Sequence, residues 1–293
     1  MTPETVAIGC GGLTAEIVPG MGGGLARFTY NGVPLFRPWA GSADPFSLAS
    51  ILLVPWSNRI SGGGFTFDGV FYPLAPNVAG ERFPIHGNGF QQGWTLADRQ
   101  DDAVELVLSS DGPGPFRYRA RARYALDADG LDMRLEVTNA AAIRLPFGLG
   151  FHPWLVRTPH TTLRASLPRV WSETGDHLPD ELLSVEAVPQ WDFRAGRPLP
   201  PGWINNGFPG WDGQATISWP ELGLTMRLDA APALSCAIVY SPGETADFFC
   251  LEPVNHPVDA FHVPGSAQEN GPRILKPGET ETIWCRFVVI PMC

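Results

Sequence analysis

The sequence of 293 residues contains almost no lysine. Lys276 is the only one among 20 Lys and Arg residues, against 30 Asp and Glu, and the formal net charge is −10. An acidic surface repels phosphate backbones and anionic lipid headgroups. We therefore expect neither nucleic acid nor a membrane surface as a partner, whereas a neutral small molecule is compatible with this charge.

Long apolar runs are also missing. The most apolar stretch, Leu48 to Trp56, is far shorter than the roughly 20 residues that a membrane-spanning helix needs. No basic residue precedes Arg27, and the first 25 residues hold no continuous apolar run. We therefore expect neither a membrane span nor a secretory signal.

The cysteines form no recognisable framework. There are five, an odd number, with wide spacing and no CxxC pair: Cys10, Cys236, Cys250, Cys285 and Cys293. A disulfide scaffold or zinc-thiolate site is therefore not expected, and the pattern predicts buried thiols in a reducing cytoplasm.

No long segment shows a helical period of 3.6 residues, while period-two alternation is clear. Gly (33) and Pro (30) are spread along the chain and interrupt helices. Residues 116–126 and 131–137 alternate apolar with charged side chains and flank the turn Asp127–Gly130, which predicts an antiparallel hairpin. A row of arginines on its outer face is interpreted as a solvated sheet surface beside carboxylates.

Further strands are predicted at short intervals, which favours an all-β, large antiparallel β-sandwich with a single domain over residues 1–293. The proline-rich stretch from Pro189 to Pro209 is predicted to be a long loop. The remaining predicted strands are Leu13–Val18, Phe65–Tyr72, Ala103–Leu108, Thr216–Trp219, Leu224–Leu228, Leu234–Tyr240, Ala246–Leu251 and Thr282–Val289.

Two segments offer candidate binding groups. Asn58 and Arg59 lie in a loop of glycines and apolar residues, where their donors suit sugar hydroxyls or a carboxylate, or else bond loop carbonyls. His86 is followed by Gly-Asn-Gly, a sharp turn that leaves its imidazole room.

Two other segments offer candidate acid–base groups. His152 and Glu252 each precede a proline, which favours extended backbone and predicts that each projects from a strand end toward a cleft. Phe151 and Trp154 flank His152 and are natural platforms for a pyranose ring. Glu252 ends an apolar run, where burial would raise its pKa toward that of a general base.

Two imidazoles and one carboxylate are compatible with three kinds of site. These are acid–base catalysis at a sugar anomeric centre, a His/His/Glu metal site, and a binding site without chemistry. The spacing of His86, His152 and Glu252 matches no local metal motif such as HExxH, and His256 and His262 do not complete one. We therefore predict no metal.

Taken together, these segments resemble the aldose 1-epimerase family. Short blocks keep the family's order over nearly the whole chain. The blocks are the Gly-rich opening Ile17–Gly24, Asn58-Arg59-Ile60 with Gly64-Phe65, His86-Gly87 followed by Trp94, Gly150 with His152-Pro153, and Glu252-Pro253 with Ala260.

The resemblance implies the galactose mutarotase-like supersandwich fold, a sugar substrate, and no metal or organic cofactor. It implies that Glu252 removes the proton from the C1 hydroxyl while His152 protonates the ring oxygen, which opens the ring. His86 and Arg59, with Asn58 as a weaker candidate, would hold hydroxyls. The chemistry agrees, because ring opening needs a base and an acid at neighbouring oxygens.

One position departs from the family. Where the family often has a sugar-binding aspartate, this chain has Asn205, and Asp212 is a possible substitute. Trp211 is a stacking candidate, although the favoured interpretation is a buried core residue. The departure leaves the identity of the sugar open.

Three alternatives remain. A sugar-phosphate mutarotase would need extra cations, for which Arg82 is a candidate. A carbohydrate-binding or sensing protein would keep the fold without the reaction. The third alternative is a lyase or hydrolase on a related sandwich; hydrolysis would normally need two carboxylates, and Glu252 is the single candidate. The sequence leaves open a monomer or a homodimer.

Overall fold

The computed structural model describes residues 3–263 and 271–292. Within these residues the regular structure consists of strands and five short 3-10 helices, without an α-helix, so the all-β prediction is confirmed. The strands are β1 (Val6–Cys10), β2 (Leu13–Val18), β3 (Gly24–Tyr30), β4 (Val33–Pro34), β5 (Ser50–Leu53), β6 (Gly64–Phe67), β7 (Val70–Pro73), β8 (Thr95–Arg99), β9 (Ala103–Ser110), β10 (Tyr118–Leu126), β11 (Gly130–Asn139), β12 (Leu145–Phe147), β13 (Gly150–Val156), β14 (Thr162–Ala165), β15 (Arg169–Glu173), β16 (Pro179–Ser184), β17 (Arg197–Pro198), β18 (Ile204–Pro209), β19 (Gln214–Trp219), β20 (Leu224–Ala230), β21 (Cys236–Ser241), β22 (Phe248–Val254), β23 (Arg273–Leu275) and β24 (Thr280–Pro291). The 3-10 helices are Pro45–Ser47, Gly89–Gln91, Val185–Ala187, Pro189–Trp191 and Pro220–Leu222.

Two large antiparallel sheets form the sandwich. The first has the order β1-β2-β3-β5-β13-β22-β21-β18, with β4 paired to β3, and the second has the order β17-β14-β19-β20-β24-β11-β10-β9-β8. Three two-stranded sheets, β12-β23, β15-β16 and β6-β7, complete the described fold.

The predicted hairpin lies in the second sheet as β10 and β11, paired from Tyr118↔Asn139 to Leu126↔Leu131. Its inward side chains are buried and its outward arginines exposed, because side chains alternate across a strand. Arg121 pairs with Glu105 on the solvated face. Inside the sandwich the Tyr124 hydroxyl donates to Gly23 O at 2.7 Å, linking the two sheets.

In the first sheet the strands β5, β13, β21 and β22 are buried on both faces. On one face Phe151, Leu155 and Leu251 join the main core between the two sheets. On the opposite face Trp154 and Cys250 belong to a smaller cluster. Strands covered on both sides lose their polar alternation, which explains the apolar runs in their sequences. The second face carries the candidate site.

Two predicted elements differ from the structure. The single strand expected over Phe65–Tyr72 is a hairpin of β6 and β7, because Asp68 and Gly69 both adopt positive φ, 51° and 77°, and reverse the chain. The loop expected up to Pro209 ends instead in β18, which pairs with β21. Pro209 is tolerated there because β18 is an edge strand.

Among the described residues no helix is long and apolar enough to cross a membrane. Cys236, Cys250 and Cys285 are buried free thiols, as expected, while Cys10 is part-exposed. Cys293 lies outside the described residues. A cytoplasmic location stays a prediction.

Candidate active site

His152 and Glu252 lie opposite each other on neighbouring strands. β13 pairs with β22 so that Gly150 faces Val254 and Trp154 faces Cys250, and this register sets His152 against Glu252. Side chains at such positions are about 5 Å apart at Cβ. The prediction that each lies at a strand end is wrong, since β13 and β22 both continue beyond these residues.

The prolines that follow the two residues interrupt the backbone pairing between the strands. The Trp154 N–H bonds toward β5 and the Asn255 N–H bonds toward β13. By alternation, the nitrogens of Pro153 and Pro253 both face the seam between β13 and β22, and neither carries a proton to donate. The ladder has no pairs at these positions. His152 and Glu252 therefore lie at a point in the middle of the sheet where backbone pairing between β13 and β22 is interrupted.

The two side chains form a buried contact. His152 Nε2 lies 3.4 Å from Glu252 Oε1, and the side chains are 8% and 3% exposed. Within the described structure, Glu252 Oε2 and His152 Nδ1 have no hydrogen-bond partner. Each of the two side chains thus has a second buried polar atom without a hydrogen-bond partner in the described structure.

Burial shifts the protonation of both groups toward their neutral forms. It raises the pKa of Glu252 well above its usual range, with Arg59 opposing the shift. It lowers the pKa of His152 to about 3, and the nearby Arg37 adds to the decrease. Burial therefore disfavours the charged form of each side chain, and it favours a proton shared by the pair on Glu252 rather than on His152.

His86 is held by two hydrogen bonds with the backbone of Asn58. The Asn58 N–H donates to His86 Nδ1 at 3.0 Å, and the His86 N–H donates to Asn58 O at 3.0 Å. Because Nδ1 accepts, the ring proton lies on Nε2, which makes His86 a donor. Burial and the neighbouring His152 lower the pKa of His86 well below its usual value and keep it neutral.

Both residues of this pair have positive φ, 55° for Asn58 and 59° for His86. Such backbone is uncommon outside glycine and collects at functional sites. Packing holds the turn, because a Cβ on Gly87 would come within 2.2 Å of Val54 O. The His86 ring is 5.3 Å from that of His152.

Arg59 reaches the site as part of an ion pair. Its Nε and Nη2 each bond an oxygen of Glu81 at 3.0 Å, a bidentate contact. Arg59 Nη1 also lies 3.4 Å from Asn58 Oδ1. The guanidinium is thus oriented and largely neutralised by Glu81, which the sequence did not nominate.

Trp154 stacks on His152, with ring centroids 3.9 Å apart and 13° between the planes. Arg37 lies over the Trp154 ring at 5.1 Å and donates to Phe46 O at 2.6 Å. Phe151, the other predicted platform, points into the core instead. The aromatic wall of the site is therefore Trp154, backed by a cation.

The opposite wall contains Asn205. Its Nδ2 donates to Glu173 Oε2 at 3.0 Å. The same carboxylate accepts from Trp203 Nε1 at 2.6 Å and contacts His177 Nδ1 at 2.9 Å. The residue at the family's aspartate position therefore has a carboxylate directly behind it.

These groups enclose one cavity of about 470 Å³. Of the predicted site residues, the structure brings together Asn58, Arg59, His86, His152, Asn205 and Glu252 around it. Additional lining residues that sequence reasoning missed include Arg37, Glu81, His177, Trp203 and Tyr240.

Asp212 is not part of this cavity. It is exposed, caps the Gln214 N–H at 3.0 Å, and lines a separate surface depression with Arg164 and Arg227. The prediction that it could replace the aspartate is therefore wrong. Trp211 is buried in the core, and the Arg82 guanidinium pairs with Asp176 at the surface.

The described residues contain one group with metal-ligand chemistry. Ligand atoms of His152, Cys250 and Glu252 lie within 4.8 Å of one another. Arg37 lies close enough to Cys250 to influence it electrostatically, which disfavours a cation. His256 is engaged elsewhere, accepting from the Ser57 N–H and bonding Pro257 O.

Two large antiparallel sheets with a cavity on the face of one define a galactose mutarotase-like β-sandwich. The crystal structure of a galactose mutarotase-like protein from Clostridium acetobutylicum has a TM-score of 0.86 to this chain, over 98% of this chain and 95% of that one. Its sequence identity is 19%, so this likeness shows the fold alone.

The chain belongs to the aldose 1-epimerase family, whose sequence model matches residues 5–288. It is 37% identical over 273 residues to the uncharacterized protein YphB of Escherichia coli (strain K12), covering 90% of this chain and 92% of that protein. It also resembles the crystal structure of a "Putative aldose 1-epimerase" from Escherichia coli K12, with a TM-score of 0.93, 32% identity and 99% of both chains covered. The predicted family and fold are confirmed.

Proposed function

We propose that this protein is an aldose 1-epimerase that interconverts the α and β anomers of a free aldose. The observation that carries the proposal is the cross-strand pair His152–Glu252, buried at 3.4 Å on the wall of a cavity with room for a monosaccharide. The family of the chain supports the same reaction class.

The reaction needs one proton removed and one supplied. Glu252 takes the proton from the C1 hydroxyl, and His152 gives a proton to the ring oxygen. The bond between C1 and the ring oxygen breaks and C1 becomes an aldehyde. After rotation about the C1–C2 bond, the ring oxygen attacks the other face of C1, and the two protons return.

The shared proton must lie on His152 when the ring opens. In the free protein burial favours it on Glu252. A bound sugar changes this balance, because its C1 hydroxyl supplies a donor to Glu252 Oε2, which has none in the described structure. Hydrogen bonds to a carboxylate lower its pKa, so the proton passes across the 3.4 Å contact to His152.

The other groups bind rather than transfer protons. His86 is a neutral Nε2–H donor for a sugar hydroxyl, since its Nδ1 is occupied by Asn58. The Nε and Nη2 atoms of Arg59 are bonded to Glu81, which leaves Nη1 to donate to a sugar hydroxyl. Trp154 stiffens His152 by stacking on it.

Polarimetry tests the proposal. Purified protein should accelerate the change in optical rotation of freshly dissolved α-galactose or α-glucose. Glu252→Gln and His152→Asn should each lose about 10²–10⁴-fold in kcat while remaining folded, whereas the exposed Glu181→Gln serves as a control with wild-type rates. Full activity in either site variant would refute the roles. Calorimetric sugar binding without any acceleration would instead identify a binding protein.

A further inference from the structure

We infer that Glu173 positions the substrate-selecting wall of the cavity, so that Asn205 presents an acceptor to a neutral sugar at the end remote from C1. The inference rests on the proposed function for its kinetic readout. It concerns a carboxylate that takes no part in the proposed proton transfer.

Glu173 ends β15, in the small β15–β16 sheet, and β15 lies beside β18, where Asn206 Nδ2 donates to Trp171 O at 2.8 Å. Glu173 Oε1 accepts from Trp203 Nε1 at 2.6 Å, and its Oε2 accepts from Asn205 Nδ2 at 3.0 Å. His177 Nδ1 contacts Oε2 at 2.9 Å. One carboxylate therefore ties together three residues that line the cavity.

The carboxylate decides which atoms these residues offer to a ligand. An ionised carboxylate only accepts hydrogen bonds, so the Asn205 amide must turn Nδ2 toward Glu173 and keep Oδ1 as its remaining acceptor. By the same rule His177 donates from Nδ1 to Glu173. Asn205 Oδ1 is therefore the acceptor that this wall offers to the hydroxyl donors of a sugar.

This wall lies away from the acid–base pair. β18, which carries Asn205, is separated from β22, which carries Glu252, by the single strand β21. At roughly 4.8 Å between neighbouring strands, the two strands are about 10 Å apart. A sugar with C1 at Glu252 therefore directs its far hydroxyls toward Asn205.

Charge on this wall selects against phosphate. Glu173 brings a negative charge behind Asn205, whereas Arg59, on another wall, is already neutralised by Glu81. Arg37 lines the Trp154 wall, and its guanidinium bonds the carbonyl oxygens of Phe46 and Leu48. Arg82 pairs with Asp176 and does not line the cavity. A phosphoryl group carries acceptor oxygens and negative charge, so at the Asn205 wall it would meet an acceptor oxygen with a carboxylate behind it.

Trp203 gains a defined orientation from the same contact. Its side chain is 46% exposed, and its ring meets Tyr240 edge-on at 5.3 Å. An exposed indole tied by its N–H is a fixed aromatic surface at the cavity mouth. Loss of the hydrogen bond to Glu173 would let the Trp203 ring rotate while it stays in place.

A swap of amide and carboxylate tests the inference. In Glu173→Gln the introduced amide donates toward Asn205, whose carboxamide then turns its Nδ2 to the cavity. We expect KM and the calorimetric Kd for the sugar to rise about tenfold or more, with kcat within about twofold. The double variant Glu173→Gln/Asn205→Asp restores an acceptor facing the cavity, and should recover most of the lost affinity. Glu181→Gln is the matched surface control.

The outcomes separate the two claims. A wild-type Kd in Glu173→Gln, or a loss of thermal stability with unchanged KM and Kd, overturns the inference about Glu173. Failure of the double variant to recover affinity overturns the acceptor argument, and turnover of α-glucose 6-phosphate as efficient as that of α-glucose overturns the charge argument. Sugar binding without turnover in the wild type overturns only the proposed function, since Kd then carries the test. A wild type that binds no sugar overturns both.

If Glu173→Gln does not fold, Trp203→Phe keeps the ring and removes the N–H that Glu173 accepts. This exposed position tolerates the change. We expect a severalfold rise in KM and Kd with little change in kcat. Unchanged KM and Kd would contradict a role for the hydrogen bond between Trp203 and Glu173.

Discussion

Replacing Glu252 by glutamine should inactivate the protein and stabilise it above mildly acidic pH. The amide has the shape of the carboxyl group but neither ionises nor accepts the C1 proton. Burial raises the pKa of Glu252 above its usual 4.5, so the folded chain holds this proton more tightly than the unfolded chain. The stability that the proton contributes is complete below about pH 4.5 and is lost as pH rises through the folded pKa.

The magnitude follows from linkage. Between the unfolded and folded pKa values, the wild type loses about 1.4 kcal/mol of unfolding free energy per pH unit that Glu252→Gln does not lose. For a large domain, 1 kcal/mol corresponds to roughly 2–4 °C in Tm. Because His152 contacts Glu252 at 3.4 Å, the difference reports the ionisation of Glu252 together with its coupling to His152.

Thermal unfolding at half-unit steps from pH 4.5 to 8 measures this difference, with Glu181→Gln as control. The Tm advantage of Glu252→Gln should grow by about 3 °C per pH unit and level off at the folded pKa. A difference that stays flat from pH 5 to 7 would show that Glu252 ionises normally in the folded protein, and the argument from burial would fail.

Three further predictions concern four substitutions, one of which is a control. His152→Asn should lower kcat about 10²–10⁴-fold with little change in KM. A rise in KM with unchanged kcat would instead assign His152 to binding. Gly87→Ala, at φ 67° with a backbone carbonyl oxygen 2.2 Å from the new Cβ, should cost roughly 2–5 kcal/mol in urea unfolding. Gly63→Ala, at φ 73° with nothing within 4 Å, should cost only about 1–2 kcal/mol. An equal loss of stability in the two alanine variants would contradict a steric clash at Gly87. Arg59→Lys should raise KM about tenfold, because one ammonium cannot replace the bidentate contact with Glu81; an unchanged KM would remove Arg59 from binding.

Alternating patterns and ordered blocks predicted much of this protein. The β10–β11 hairpin followed from period-two alternation, because one face of that sheet is solvated. The blocks around His86, His152 and Glu252 led to one cavity although they lie far apart in sequence.

Other features depend on packing that no local pattern encodes. Arg37, Glu81 and Glu173 reach the cavity from segments without a motif, and Glu173 meets Asn205 across 32 residues. The chain reverses at Gly210, with φ 82°, after β18 ends, so nearness in sequence to Asn205 did not place Asp212 at the site.

The proline rule pointed to strand ends, yet His152 and Glu252 lie within strands. A proline is excluded from a central strand only where its nitrogen must donate. Here Pro153 and Pro253 face the same seam, so the two exceptions share one interruption. Two such prolines facing one seam can be recognised in the sequence only once the strand pairing is known.

The division of this cavity between a large sheet and a small hairpin bears on how new specificities arise. The pair proposed to transfer protons is carried by two central strands, whereas Glu173 belongs to a two-stranded unit outside both large sheets. Insertions or exchanged turns in that unit can alter which sugars are accepted while the reacting groups keep their spacing. A library randomised over β15 and β16 would therefore explore substrate range at constant chemistry, a separation that loop-built active sites seldom offer.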